Sequence, residues 1–170
     1  MFLHHFKKKE NNLKKHTDNM YLSIIKFIDS LYLNQDYKLK KEFNTSFEIT
    51  TILIFTIFFA YKQKKNAELN QMLLNTYIED MDHSLRNLGI SDMKIGKYVK
   101  AYVKKIYYRF DLLDSIFSSE DFGKFSEYIL KLKICNDSIK SPLFSIFLYN
   151  YINNSLNMMK IKTFSKYKFK

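Results

Sequence analysis

Along "DNMYLSIIKFIDSLYL" the apolar residues Tyr21, Ile24, Ile25, Ile28, Leu31 and Tyr32 recur at helical spacing. That period places them on one face of a helix, with Asp18 or Asn19 as its cap. A polar stretch, "NQDYKLKKEFN", reads as a connection. "TSFEITTILIFTIFFAYKQKK" has the β-branched residues of a strand, but its apolar run is too long for one, and Thr45 and Glu48 have capping-box spacing. It is predicted as a helix, apolar nearly all round and therefore central. From Ile49 to Tyr61 the run is 13 residues, against about 20 for a bilayer span, which favours a core helix over a transmembrane one.

"NAELNQMLLNTYIEDMDHSLRNLG" continues the helical period through Leu69, Met72, Leu73, Tyr77, Met81, Leu85 and Leu88. Gly89 follows where a left-handed cap is expected. Asp92 is placed to cap the next helix, "MKIGKYVKAYVKKIYYRF", with Ile95, Tyr98, Val99, Tyr102, Val103 and Ile106 facing inward. A short helix at "DLLDSIF" and a longer one at "SEDFGKFSEYILKLKI" come next. In the last helix, "SPLFSIFLYNYINNSLNMMKIK", Ser141 caps and Pro142 sits in the first turn, where proline is tolerated. The pattern predicts an all-α, single-domain bundle of six or seven helices spanning residues 18–160. A basic disordered tail is expected at 1–17 and another at 161–170.

Composition agrees with this architecture. The 170 residues are 46% hydrophobic, enough for one sizeable core. Three glycines and one proline are too few for the turns of a sandwich or barrel. The single cysteine, Cys135, rules out an intramolecular disulfide and a cysteine zinc cluster, and reads as a buried, inert thiol. "MFLHHFKKKENNLKKH" lacks the apolar core of a secretory signal and the arginines of a transit peptide.

Charge adds a new element. The net charge is +11, and it is unevenly spread. Residues 94–109 contain five lysines, one arginine and no acid, and both ends of the chain are lysine-rich. Only Arg86 and Arg109 are arginines. An AT-rich coding sequence gives a similar Lys, Asn, Ile, Tyr and Phe bias without any partner. It does not by itself account for the acid-free block, which suits an anionic surface: RNA, lipid head groups or an acidic protein. Lys94, Lys97, Lys100 and Lys104 are the candidate residues. The interleaved Tyr98 and Tyr102 lie on the apolar stripe and read as core rather than as base-stacking platforms.

Just before that block stand Glu79, Asp80, Asp82, His83 and Arg86, the densest mixed polar set in the chain. Glu79 and His83 share a helix face, as do Asp82 and Arg86. Surface ion pairs are the plain reading and a partner-recognition patch the sharper one. A metal reading through Glu79, Asp80 and His83 lacks the second Glu-x-x-His motif of a di-metal bundle. No nucleophile elbow, phosphate-binding loop or dinucleotide turn occurs. The chain therefore reads as a non-enzyme that calls for no cofactor.

"YIEDMDHSLRNLGISDMKIGKYVKAYVKKIYYR" resembles the ubiquinol–cytochrome c chaperone family. The matching features are the acidic Glu79–Asp82, then Leu85–Arg86, the Gly89–Ile90 turn, and the basic amphipathic helix from Lys94. The resemblance covers residues 20 to 158 and is strongest at 77–109. Tyr108 stands where bacterial members often have glycine, and "YILKLKI" lacks an expected Arg-Asn pair. The resemblance implies a helical assembly chaperone that binds newly made cytochrome b and promotes assembly of ubiquinol–cytochrome c reductase. It also implies, as further partners, the ribosome exit region and a small helical partner protein, and the lysine-rich blocks add an anionic membrane surface. The expected location is cytoplasmic and peripheral to the inner membrane in a bacterium, or the matrix side in a mitochondrion. Glu79, Asp80, Asp82, His83 and Arg86 are then a protein contact, and the four lysines an anionic-surface contact. The rival reading is a basic helical module that binds ribosomes or RNA.

Overall fold

Phe47 to Ile57 are buried without a break, and they lie in a helix that touches four others. The computed structural model describes residues 2–62 and 67–161. Among these the chain forms α1 (Phe2–Leu33), α2 (Phe43–Ala60), α3 (Ala67–Asn87), α4 (Asp92–Ser118), α5 (Phe122–Leu132) and α6 (Lys140–Ile161). α2 packs against α1, α3, α4 and α6, while α1 also packs on α3, α3 on α4, α4 on α5, and α5 on α6. The expected all-α bundle with a central apolar helix is thus observed. By length and composition α2 could cross a membrane, but 67% of it is buried inside the bundle. That burial accounts for its apolar character without a bilayer.

Several boundaries differ from the sequence expectation. Residues 2–17, expected as a disordered tail, are the first half of α1. Leu13 packs on the core, and the buried Thr17 hydroxyl donates to the carbonyls of Lys14 (2.8 Å) and Leu13 (3.3 Å). The apolar period therefore starts before Asp18, and neither Asp18 nor Asn19 is a cap. α2 starts at Phe43, so Thr45 and Glu48 lie inside it and form no capping box. "DLLDSIF" is not a separate helix but the end of α4, because nothing in Phe110–Asp111 interrupts the ladder. Asp92 is in the first turn of α4, whose cap residue is Ser91. Pro142 lies in the first turn of α6, as expected. Apart from Ile161, the tail expected at 161–170 lies outside the described residues.

Two connections hold the ends of the bundle together. The segment before α2 pairs with the segment before α6 through an isolated antiparallel bridge, Leu39 to Cys135. Lys40 N donates to the Ile134 carbonyl (2.9 Å), and Asn136 N donates to that of Lys38 (2.8 Å). Cys135 is buried there, and burial pushes its thiol pKa up, which keeps it in the unreactive form. At the other connection Gly89 adopts φ +88°. Its N–H donates to the Arg86 carbonyl (2.8 Å), and Ile90 N donates to that of Leu85 (3.2 Å). This pair of bonds is the left-handed cap anticipated for glycine, and it turns the chain sharply from α3 into α4.

Candidate functional site

The turn at Gly89 brings the acidic end of α3 beside the basic start of α4, and the two are stitched together. Arg86 Nε donates to Asp82 (2.5 Å), and its guanidinium also reaches Asp92 on α4. These carboxylates raise the already high pKa of the arginine. Glu79 and His83 are exposed and make no bond with each other, although they are one turn apart. Asp80 belongs elsewhere. It faces α1, where it accepts a 2.7 Å hydrogen bond from the Tyr21 hydroxyl. The five predicted residues therefore divide into a corner clasp (Asp82, Arg86), an exposed pair (Glu79, His83), and one carboxylate at the α1–α3 contact. Among the described residues no cluster of His, Cys, Asp and Glu is arranged to hold a metal ion.

Asp80 opens onto a cleft. Its walls come from α1 (Tyr21, Ile25, Ile28, Asp29, Tyr32), the start of α2 (Phe43, Ser46, Phe47, Thr50) and α3 (Tyr77, Asp80, Met81, Ser84). The inner part holds about 200 Å³. A wider mouth of about 480 Å³ shares Asp29, Tyr32, Phe43 and Ser46 and adds Leu33, Lys41 and Glu42. Tyr32 and Ser46 hydroxyls bridge α1 and α2 at 2.7 Å. Burial raises the Tyr21 and Tyr32 pKa values, as do the nearby carboxylates of Asp80 for the first and Asp29 and Glu42 for the second.

The lysines of α4 form a separate surface. Lys94, Lys97, Lys100 and Lys104 are all exposed. At about 100° per residue they cover roughly a third of the helix circumference. Met93 (98% exposed), Tyr107 (53%) and Tyr108 (63%) stand on the same outer face. Tyr102 packs edge-on against Phe43 and Phe47, as its place on the stripe implied. Tyr98 departs from that reading and is 41% exposed.

The sequence reading did not anticipate the polar core beneath these surfaces. Arg109 on α4 grips Glu48 of α2 with two 3.0 Å bonds, Nε to Oε2 and Nη2 to Oε1. The Tyr128 hydroxyl of α5 donates to the same carboxylate at 3.3 Å. Hydrogen bonding to Glu48 raises the Arg109 pKa, and burial raises that of Tyr128. The available signal was a lone acid inside an apolar run, which needs a partner when buried. One helical turn away, the Tyr77 and Thr51 hydroxyls lie 2.9 Å apart, and both reach the Phe47 carbonyl. These bonds tie α2 to α3, α4 and α5.

Comparison with known proteins follows the same lines. The family model described as Ubiquinol-cytochrome C chaperone matches residues 35–162, well over half of the chain. Among solved structures, the crystal structure of the Cbp3 homolog from Brucella abortus superposes with a TM-score of 0.82 at 18% identity. The superposition covers 100% of this chain and 97% of that one, and at such identity it shows the fold. No curated protein matches the sequence.

Proposed function

Because this chain belongs to the ubiquinol–cytochrome c chaperone family, we propose that it is a non-catalytic assembly chaperone that holds newly made cytochrome b until ubiquinol–cytochrome c reductase is put together. The family match carries the reading, and the surfaces support it. A nascent membrane protein has apolar segments that need shielding before its partners arrive. A rigid helical bundle with an aromatic-lined cleft offers a groove for such a segment. Glu79, Asp82, His83 and Arg86 near the α3–α4 corner, with Asp80 on the α1 side of α3, contribute a protein contact for the client or for a small helical partner protein.

The outer face of α4 supports a location at a membrane. Lysines around exposed Met93, Tyr107 and Tyr108 suit an anionic bilayer surface, where the ammonium groups meet head groups and the apolar atoms reach the interface. We place the protein in the cytoplasm against the inner membrane of a bacterium, or at the matrix face in a mitochondrion. The same lysine face favours one second reading, a contact with the ribosome exit region or with RNA.

Charge reversal at Asp80 and Asp82 tests the client contact. Steady-state cytochrome b is expected to fall while the purified domain keeps its helical circular dichroism. Unchanged reductase levels would remove these residues from the contact. Sedimentation with vesicles containing anionic lipid tests the α4 face. Replacing Lys97, Lys100 and Lys104 by glutamine should release the protein. Retention on ribosomes alone, lost at raised salt, would favour the second reading.

A further inference from the structure

The cleft between α1, α2 and α3 has a chemistry unlike the rest of the molecule. The chain carries 28 Lys and Arg against 17 Asp and Glu. Yet the inner cleft is lined by two acids, Asp29 and Asp80, and by no Lys, Arg or His. The mouth adds Glu42 and a single base, Lys41.

The acids are set among apolar and aromatic walls. Asp29 comes from α1 and Asp80 from α3, and Phe43 and Phe47 of α2 line the same cleft. Tyr21 occupies one oxygen of Asp80 (2.7 Å), which fixes the carboxylate and leaves its other oxygen for an incoming donor. Both carboxylates are open to solvent, so an incoming cation can reach them directly. A guanidinium fits these surroundings better than an ammonium. It is planar, weakly hydrated, bonds carboxylates in pairs and stacks on aromatic rings. The inner volume of about 200 Å³ suits one long side chain, and the wider mouth suits the backbone that carries it.

We propose that this cleft takes the arginine side chain of a bound polypeptide, with the guanidinium against Asp29 and Asp80 and the polypeptide running along the mouth past Tyr32 and Phe43. The proposal rests on the reading that this chain holds a polypeptide client, and it specifies what the client presents. It also separates the roles of two neighbouring acids. Asp80 meets the client, whereas Asp82 is held by Arg86.

The test uses fluorescence anisotropy with a labelled, capped peptide, Leu-Phe-Arg-Phe-Leu, and its citrulline counterpart, which has nearly the same shape without the charge. The full chain should bind the arginine peptide at least tenfold more tightly. The Asp29→Asn/Asp80→Asn variant should lose that preference, and Glu127→Gln, an acid on α5 away from the cleft, should keep it. Nuclear magnetic resonance on the unaltered protein gives an independent reading, with shifts expected at Ser46, Phe47 and Thr50. Equal affinity for the two peptides, a preference surviving in the double variant, shifts confined to α4, or no binding at millimolar peptide would each overturn the proposal. Capture of cytochrome b from native membranes distinguishes the two levels. Capture by the full chain together with a failed peptide test removes only the cleft, whereas absence of capture removes the client reading.

Discussion

Replacing Arg109 by methionine removes the only cation bonded to the Glu48 carboxylate among the described residues while keeping much of the side-chain volume. The Glu48 side chain is 11% exposed and that of Arg109 21%, so water does little to screen the pair. Removing one partner of a buried pair costs about 3–5 kcal/mol, because the remaining charge is left desolvated. Tyr128 still donates to Glu48 at 3.3 Å and softens the loss. The expected cost is therefore at the low end, about 3 kcal/mol. For a chain of this size that lowers the thermal midpoint by roughly 6–12 °C.

The double variant Glu48→Leu/Arg109→Met decides whether the mechanism is right. It removes both charges together, so no buried carboxylate is stranded, and it should recover most of the lost stability. Urea titrations of the parent, both single variants (Arg109→Met and Glu48→Leu) and the double variant, followed by circular dichroism, give the cycle. If the double variant is no more stable than Arg109→Met, the loss comes from packing between α2 and α4 and the electrostatic argument fails. A loss under about 1 kcal/mol in the single variant would place the pair in the class of solvent-screened bridges.

Gly89→Ala should cost about 1–2 kcal/mol, since a Cβ there meets nothing within 4 Å and only the positive φ is penalised; a urea midpoint unchanged from the parent would refute the cap. Tyr21, Tyr77 and Tyr128 have pKa values raised chiefly by burial, so all three stay neutral in the fold at pH values where the unfolded chain ionises. The unfolded chain then binds fewer protons, so stability is fully present below about pH 10 and falls above it, by about 4 kcal/mol per pH unit for three such groups. Urea midpoints measured from neutral to strongly alkaline pH should show this decline, and Tyr77→Phe/Tyr128→Phe should flatten it; a midpoint that holds steady well above pH 10 would refute it.

Apolar period was enough to place the core, because a helix that must bury one face writes that face into every third or fourth residue. Leu73, Tyr77, Met81 and Leu85 are all buried where the period put them. Helix ends were harder to read. Capping types at Asp18, Thr45 and Asp92 are common inside or beside helices, and tertiary packing extended α1 and α4 past those signals. The bond between Arg109 and Glu48 spans 61 positions and was invisible to any local pattern. So was the cleft, which exists only because α1 returns beside α3.

The acidic and basic halves of Glu79–Arg109 have different partners, and helix geometry explains why. Asp80 and Asp82 are two residues apart, so they point to widely separated sides of α3. One side meets α1 and the cleft, and the other meets the turn into α4. Among the described residues Arg86 is the only cation bonded to Asp82, and it draws in Asp92 as well, which neutralises much of the corner locally. Lys94, Lys97, Lys100 and Lys104 are exposed and form no ion pair among the described residues. Much of the acid charge is thus spent inside the molecule or at the mouth of a cleft, while the basic charge is left facing outward. A client with cationic side chains and an anionic surface can then be held by different faces of one rigid bundle without competing.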